Sequence, residues 1–254
     1  MHRHILLIVL FIVLSLPSPA LAEELPMATG EWQPYTSSSL HGYGEFTRKV
    51  SLVLYEMGKT PAYRFYPWAR CYDAVLKGRL WAAFPYAYNP KRGKEVWFSD
   101  PISLSRSVFF YYQPEQSQKV IDLNHLSDAA SYRIGGVTGY FYQSLFAEAE
   151  IDLDYTSSEV QGLEKLIRGR IDLMPINERV GWVLINRHFP EQAKDFHTTD
   201  FALSVNKLRL IISRTYPNSY QLRQDFNAAL HRCMHKGIIP PVSSQEPQAD
   251  NPQR

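Results

Sequence analysis

Strand-like and helix-like stretches alternate along this chain in two successive runs, and a last strand and helix are left over. That order constrains the fold more than any single motif does. In the first run Phe46, Val50, Val53 and Met57 share one face of an amphipathic helix that Gly58 ends. Ala62–Tyr66 alternates as a strand. Pro67 opens a second helix over Trp68–Lys77, which Gly78 closes. Leu80–Tyr86 is a short apolar run of the kind found in buried parallel strands. The turn Asn89-Pro90-Lys91-Arg92-Gly93 comes next, and Val108–Tyr112 makes an aromatic strand. The pattern βαβαβ predicts a parallel-rich sheet with helices on its faces. From Asp122 it restarts: a short helix at Leu123–Ala129, strands at Tyr132–Val137, Ile151–Tyr155 and Ile171–Ile176, and helices near Tyr140–Glu148, Ser157–Arg168 and Arg179–Arg187. The strand Leu208–Ser213 and the helix Tyr220–Lys236 remain, and they need a sheet to join.

Composition agrees with a folded protein of one large or two medium domains. The 254 residues are 45% hydrophobic, 20% charged and 13% aromatic, too apolar for a disordered chain. A formal charge of +2 gives no electrostatic footprint for nucleic acid or an anionic membrane. Two cysteines make neither a disulfide scaffold nor a zinc site.

Residues 1–22 read as a signal peptide. Arg3 precedes an apolar run from Ile5 to Leu16, Pro17 and Pro19 break it, and Ala20-Leu21-Ala22 has the small-x-small form of a cleavage site. The run is about 12 residues, short of the ~20 that span a bilayer. A mature chain Glu23–Arg254 in the periplasm is expected, with no lipid anchor. Export places Cys71 and Cys233 in an oxidising compartment. Both fall on apolar helix faces, so they either pack singly as small hydrophobes or pair as a disulfide. His231 and His235 lie one helical turn apart, but cations near a helix C-terminus also suit its dipole, and no metal site is expected.

A series of short motifs occurs in order: Gly30-Glu-Trp-Gln-Pro-Tyr35, Tyr66-Pro-Trp-Ala-Arg70, Phe84-Pro-Tyr-Ala-Tyr-Asn-Pro-Lys-Arg92, Phe98-Ser-Asp-Pro101, Ile134-Gly-Gly-Val-Thr-Gly139, Gly169-Arg-Ile-Asp172 and Tyr216-Pro-Asn218. Together they resemble the periplasmic solute-binding proteins of the polar amino-acid transporter type, the bacterial extracellular solute-binding family 3. The resemblance implies an α/β, two-lobed periplasmic-binding-protein fold (type II), joined by crossings near Phe109–Gln113 and Phe201–Lys207, with a ligand held between the lobes. It implies lobe 1 over residues 23–110, lobe 2 over 111–204, a return to lobe 1 over 205–238, and a disordered tail over 239–254. Both cysteines would then lie in one lobe, which leaves the disulfide open.

Arg92 stands after a strand end and the Asn89-Pro90 turn, and its planar fork suits a carboxylate. In the family the arginine of this turn binds the ligand carboxylate. Thr138, Gly139 and Tyr140 lie between a strand and a helix, where backbone amides favour anions and where the family's loop completes that site. The family's aspartate for a ligand ammonium corresponds here to Asn177, with Glu178 next in the chain. Either Glu178 substitutes for it, or the ligand is not an ordinary α-amino acid. Trp32, Tyr35 and Tyr86 stand on loops or strand ends, as candidate ligand walls or as lobe packing. For Trp68 and Tyr88 packing is the expectation, and Arg70 either points into the cleft or pairs with Asp73.

The resemblance thus implies binding of a small carboxylate-bearing, amino-acid-like solute by a monomer, for delivery to an ABC permease. The alternatives are a ligand-sensing subunit for a membrane receptor and a periplasmic dehydratase-type enzyme on the same fold. Glu178 is the one carboxylate placed to act as a general acid or base, so catalysis is not expected. No cofactor and no nucleic-acid partner are expected.

Overall fold

A computed structural model describes residues 24–115, 121–140 and 142–242. The expected signal peptide, 1–22, lies outside these residues. In chain order the strands are β1 (Glu24–Thr29), β2 (Thr60–Phe65), β3 (Ala82–Ala87), β4 (Trp97–Phe98), β5 (Ser103–Tyr112), β6 (Ile134–Val137), β7 (Leu153–Thr156), β8 (Met174–Asn177) and β9 (Phe196–Ile212). The helices are α1 (Glu45–Glu56), α2 (Trp68–Leu76), α3 (Pro90–Glu95), α4 (Gln143–Glu148), α5 (Glu159–Ile167), α6 (Glu178–His188) and α7 (Ser219–His235).

A seven-stranded sheet runs β2-β1-β3-β9-β5-β8, with β4 paired to β9 off this path. Its first three strands are parallel, and the pairs β3-β9, β9-β5 and β5-β8 are antiparallel. The parallel pair β6-β7 stands apart but is tied to the start of β8 by a parallel bridge between Ile134 and Leu173.

In lobe 1 the alternation of side chains along each strand builds two cores, one on each sheet face. Leu25, Met27, Ala82, Phe84, Leu210 and Ile212 meet the apolar stripes of α1 and α7. The intervening Ala28, Ala83 and Ile211 meet Cys71, Ala74 and Val75 of α2. Each fully buried large side chain contributes about 1.5–3 kcal/mol of transfer free energy. This layering decides between the two alternatives left open for the cysteines: Cys71 and Cys233 are both free and buried, on opposite faces of the sheet, so no disulfide joins them. Burial pushes the Cys71 thiol up to about 11 and raises Cys233 as well. The expected tail is also corrected at its start, since Ile239 is fully buried in the α1–α7 core; residues 243–254 lie outside the described residues.

Lobe 2 repeats the two-sided arrangement. Val108 and Phe110 pack with Leu163, Leu166, Met174 and Ile185, while Phe109 packs with Ile134, Tyr142, Phe146 and Leu173 on the other side. Gly181 lets α6 approach β5, because a Cβ there would stand 2.4 Å from the Phe110 ring. The two lobes are joined by one antiparallel ribbon of β5 and β9, paired from Ser103 with Leu208 to Tyr112 with Phe196. Ile102 and Leu208 belong to the lobe 1 core, and Val108, Phe109, Phe110, Phe201 and Leu203 pack in lobe 2. The change of lobe on β5 therefore falls at residues 103–107, earlier than the expected Phe109–Gln113, because Phe109 and Phe110 are needed to fill lobe 2.

Candidate functional site

The loops after β1, β2 and β3 leave the same edge of the lobe 1 sheet, because parallel strands present their carboxyl ends together. After β1, Trp32 and Thr36 close a small bridge, and the Trp32 and Tyr35 rings stack at 4.4 Å. Gly30 is required there, since a Cβ would stand 2.5 Å from the Trp68 indole that lies over it. Trp68 in turn meets Tyr86 edge-on at 5.8 Å, and the Tyr86 hydroxyl donates to the Trp68 carbonyl at 3.2 Å. Trp68 is therefore part of this wall and not only lobe packing. Tyr88 is 61% exposed and leans on Phe98.

Arg92 is placed by the N-terminus of α3. The Asn89 side chain accepts the amides of Lys91 and Arg92, and Pro90 starts the helix. The Arg92 guanidinium lies 5.3 Å from the Tyr86 ring centre and 5.7 Å from that of Tyr72. Arg70, on the first turn of α2, stacks over Tyr66 at 4.1 Å, while Asp73 pairs with Lys77 and Arg79. Neither arginine has a carboxylate within ion-pair distance among the described residues. Burial holds the Tyr86 hydroxyl well above the usual range, so it stays protonated.

The facing edge of lobe 2 is built differently. Thr138, Gly139 and Tyr140 come after β6, with Gly139 in the left-handed region at φ 83°. Each of their amides has an internal acceptor: the Thr156 carbonyl for Thr138, the Gln143 side chain for Gly139, and the Val137 carbonyl for Tyr140. The Tyr140 hydroxyl donates to Glu159. Asn177 ends β8 and caps α6, its oxygen accepting the Val180 amide at 3.2 Å and the Tyr35 hydroxyl at 3.4 Å, its nitrogen donating to Ser105 at 2.8 Å. Glu178 pairs with Arg106 at 3.1 Å.

Among the described residues the lobes touch through Tyr35 with Asn177, Arg179 with Glu45 at 2.7 Å and with the Tyr35 ring, Arg187 with Gln33 at 2.8 Å, and Val180 and Leu184 of α6 packed against the lobe 1 core. Tyr35 is 1% exposed and its hydroxyl is pushed up to about 12 by burial, so it serves this contact and not an open ligand wall. Burial also raises the Glu45 carboxyl, against the pull of Arg179. Arg92, Tyr86, Trp68 and Arg70 are thus gathered on lobe 1, Tyr35, Asn177 and Glu178 at the lobe junction, and the Thr138 loop on lobe 2. Glu45, Arg106 and Arg179 were not singled out from sequence; charges this far apart in the chain carry no local signal of their pairing. His231 pairs with Asp100 at 2.9 Å, and no group of three His, Cys, Asp or Glu side chains suited to a metal occurs among the described residues. Nor is any described helix long and apolar enough to cross a membrane.

No protein-family model and no curated protein matches this chain. Solved structures do. A histidine kinase sensor domain with similarity to periplasmic binding proteins superposes with a TM-score of 0.66 at 15% identity, covering 88% of this chain and 96% of its own. The GluR0 ligand-binding core from Nostoc punctiforme, in complex with L-glutamate, gives 0.61 at 15%, covering 87% and 96%. The substrate-binding protein of an amino-acid ABC transporter gives 0.60 at 16%, covering 84% and 94%. At these identities the likeness establishes the fold: a two-lobed, type II periplasmic-binding-protein architecture.

Proposed function

We propose that this protein captures a small carboxylate-bearing solute of amino-acid size between its lobes, as a monomer in the periplasm after loss of residues 1–22. After capture, the solute passes to an ABC permease. The observation that carries the proposal is Arg92: a guanidinium over Tyr86 and Tyr72, at the carboxyl edge of a parallel sheet, with no acid to neutralise it among the described residues. Trp32 and Trp68 form the wall beside it, with the buried Tyr86 ring behind Arg92, and Thr138, Gly139 and Tyr140 close over the solute from lobe 2. Asn177 and Glu178 hold the junction. Glu178 is already bound to Arg106 and is not the free acid that a dehydratase would need, which favours binding over catalysis.

A second reading, a sensing subunit that presents its ligand to a membrane receptor, is favoured by the likeness to a histidine kinase sensor domain along 88% of this chain. The capture step is the same in both.

The test is thermal unfolding of the mature chain, refolded to strip carried ligand, against amino acids, small carboxylates, diamines and aromatic acids. A ligand of micromolar affinity at about 1 mM stabilises by about 4 kcal/mol. That is on the order of 10 °C for a chain of this size. A carboxylate that gives such a shift, lost in Arg92→Ala, is the expected result. Absence of a shift with every carboxylate would overturn the reading.

A further inference from the structure

Resting on that reading, the balance of charge at the lobe edges goes further. Two cations, Arg92 and Arg70, stand on the lobe 1 edge over aromatic faces, each without a carboxylate within ion-pair distance among the described residues. The carboxylates around the lobe edges are already engaged, except that one oxygen of Glu45 is buried at the lobe junction without a hydrogen-bond partner. Glu31 accepts the Ser38 amide and hydroxyl, Glu95 the Tyr72 hydroxyl at 2.5 Å, Glu45 pairs with Arg179, Glu178 with Arg106, and Glu159 accepts the Tyr140 hydroxyl. Asn177 spends its oxygen on two donors and is neutral. An ammonium group brought to the lobe 1 edge would meet two uncompensated arginines, and the acid on the same helix as Arg92, Glu95, is already bound to Tyr72.

The placement of the arginines adds a length. Strand order is β2-β1-β3, Arg70 lies on the helix after β2, and Arg92 lies on the helix after β3. The Trp68 indole lies over Gly30, just past the end of the central strand β1. Neighbouring strands are about 4.8 Å apart, so the flanking strands are separated by about 10 Å. A separation of that order suits an acid with a carboxylate at each end better than one with a single carboxylate.

We propose that the ligand is a small dicarboxylate without an ammonium group, one carboxylate on Arg92 and the other on Arg70, its carbon chain against Trp68.

The experiment compares matched pairs by thermal shift and titration calorimetry: succinate with aspartate, glutarate with glutamate, and butyrate as the single-carboxylate control. Arg70→Gln and Arg92→Ala are measured alongside wild type. Arg70 is exposed, so Arg70→Gln is expected to keep the ligand-free midpoint. A dicarboxylate should bind at least about tenfold more tightly than its amino-acid partner, a gap of roughly 1.4 kcal/mol. Arg70→Gln should erase its advantage over butyrate, and Arg92→Ala should remove binding of both. Equal or tighter binding of the amino acids would overturn this inference while leaving the carboxylate-capture reading in place. So would dicarboxylate binding that Arg70→Gln leaves unchanged. Failure of dicarboxylates, amino acids and butyrate alike would overturn the underlying reading itself.

Discussion

The two edges that face each other across the lobes are made from similar parts and finished in opposite ways. On lobe 1 the strand ends carry cations set against aromatic faces, and a tryptophan 36% exposed. On lobe 2 the loop amides, Tyr140, Asn177 and Glu178 are all bonded within the protein. A group satisfied by its own chain gains little from a ligand, whereas a guanidinium over a ring, with no acid beside it, gains a charge-assisted bond. Under the proposed function, lobe 1 supplies the affinity and lobe 2 the closure.

The largest effect should come from breaking lobe 2 while sparing the lobe 1 wall. Phe110 is fully buried against Gly181 of α6, so Phe110→Ala should cost about 3–5 kcal/mol, on the order of 10 °C in thermal midpoint. The lobe 1 edge proposed to hold the ligand packs on the other cores, and titration below the lowered midpoint should retain binding. Next, Gly30→Ala drives a methyl into the Trp68 indole. The expected cost is about 1–3 kcal/mol in denaturant unfolding, with ligand affinity falling at least about tenfold as the wall shifts. An unchanged affinity would remove Trp68 from the wall.

The junction should respond more weakly. The Arg179–Glu45 pair has its arginine more than half exposed, so Arg179→Ala should cost about 1 kcal/mol or less by chemical denaturation. Acidity separates two carboxylates of opposite sign. Glu45 is raised by burial, so its share of stability is complete below about 4.5 and is lost as pH rises through its higher folded value. Glu45→Gln should therefore gain on wild type between acid and neutral pH. Glu56 is lowered by hydrogen bonds from Lys236 and Arg232, so its share is present above about 4.5 and is lost on acidification. Glu56→Gln should lose ground to wild type over the same rise, and denaturation midpoints measured across that range check both.

Much of the scaffold was legible in the chain. The 4-3-4 spacing from Phe46 to Met57 became α1 at Glu45–Glu56, and Pro67 and Gly78 bracket α2. The strands least visible were those whose burial is not apolar. β5 begins at Ser103, five residues before the aromatic run, because Ser103, Ser105 and Ser107 are buried at the crossing, where Lys49 donates to Ser103 and Asn177 to Ser105. β9 begins at Phe196 and carries polar residues along a partly exposed ribbon, so only its Leu208–Ile212 end showed a strand pattern. β1 contains Pro26, which hid a central strand. Of the site, Arg92 was legible because Asn89-Pro90 announces a helix start; whether Arg70 met Asp73 or the cleft depended on tertiary packing. The separation of the two cysteines came from which sheet face each helix covers, which spacing along the chain does not encode.

The most direct test of the difference between the edges is calorimetric titration of the best carboxylate from the panel into wild type, Arg92→Ala and Thr138→Ala. If lobe 1 supplies the affinity, Arg92→Ala lowers it at least about a hundredfold and Thr138→Ala by less than about tenfold. A loss in Thr138→Ala equal to or greater than that in Arg92→Ala would contradict it.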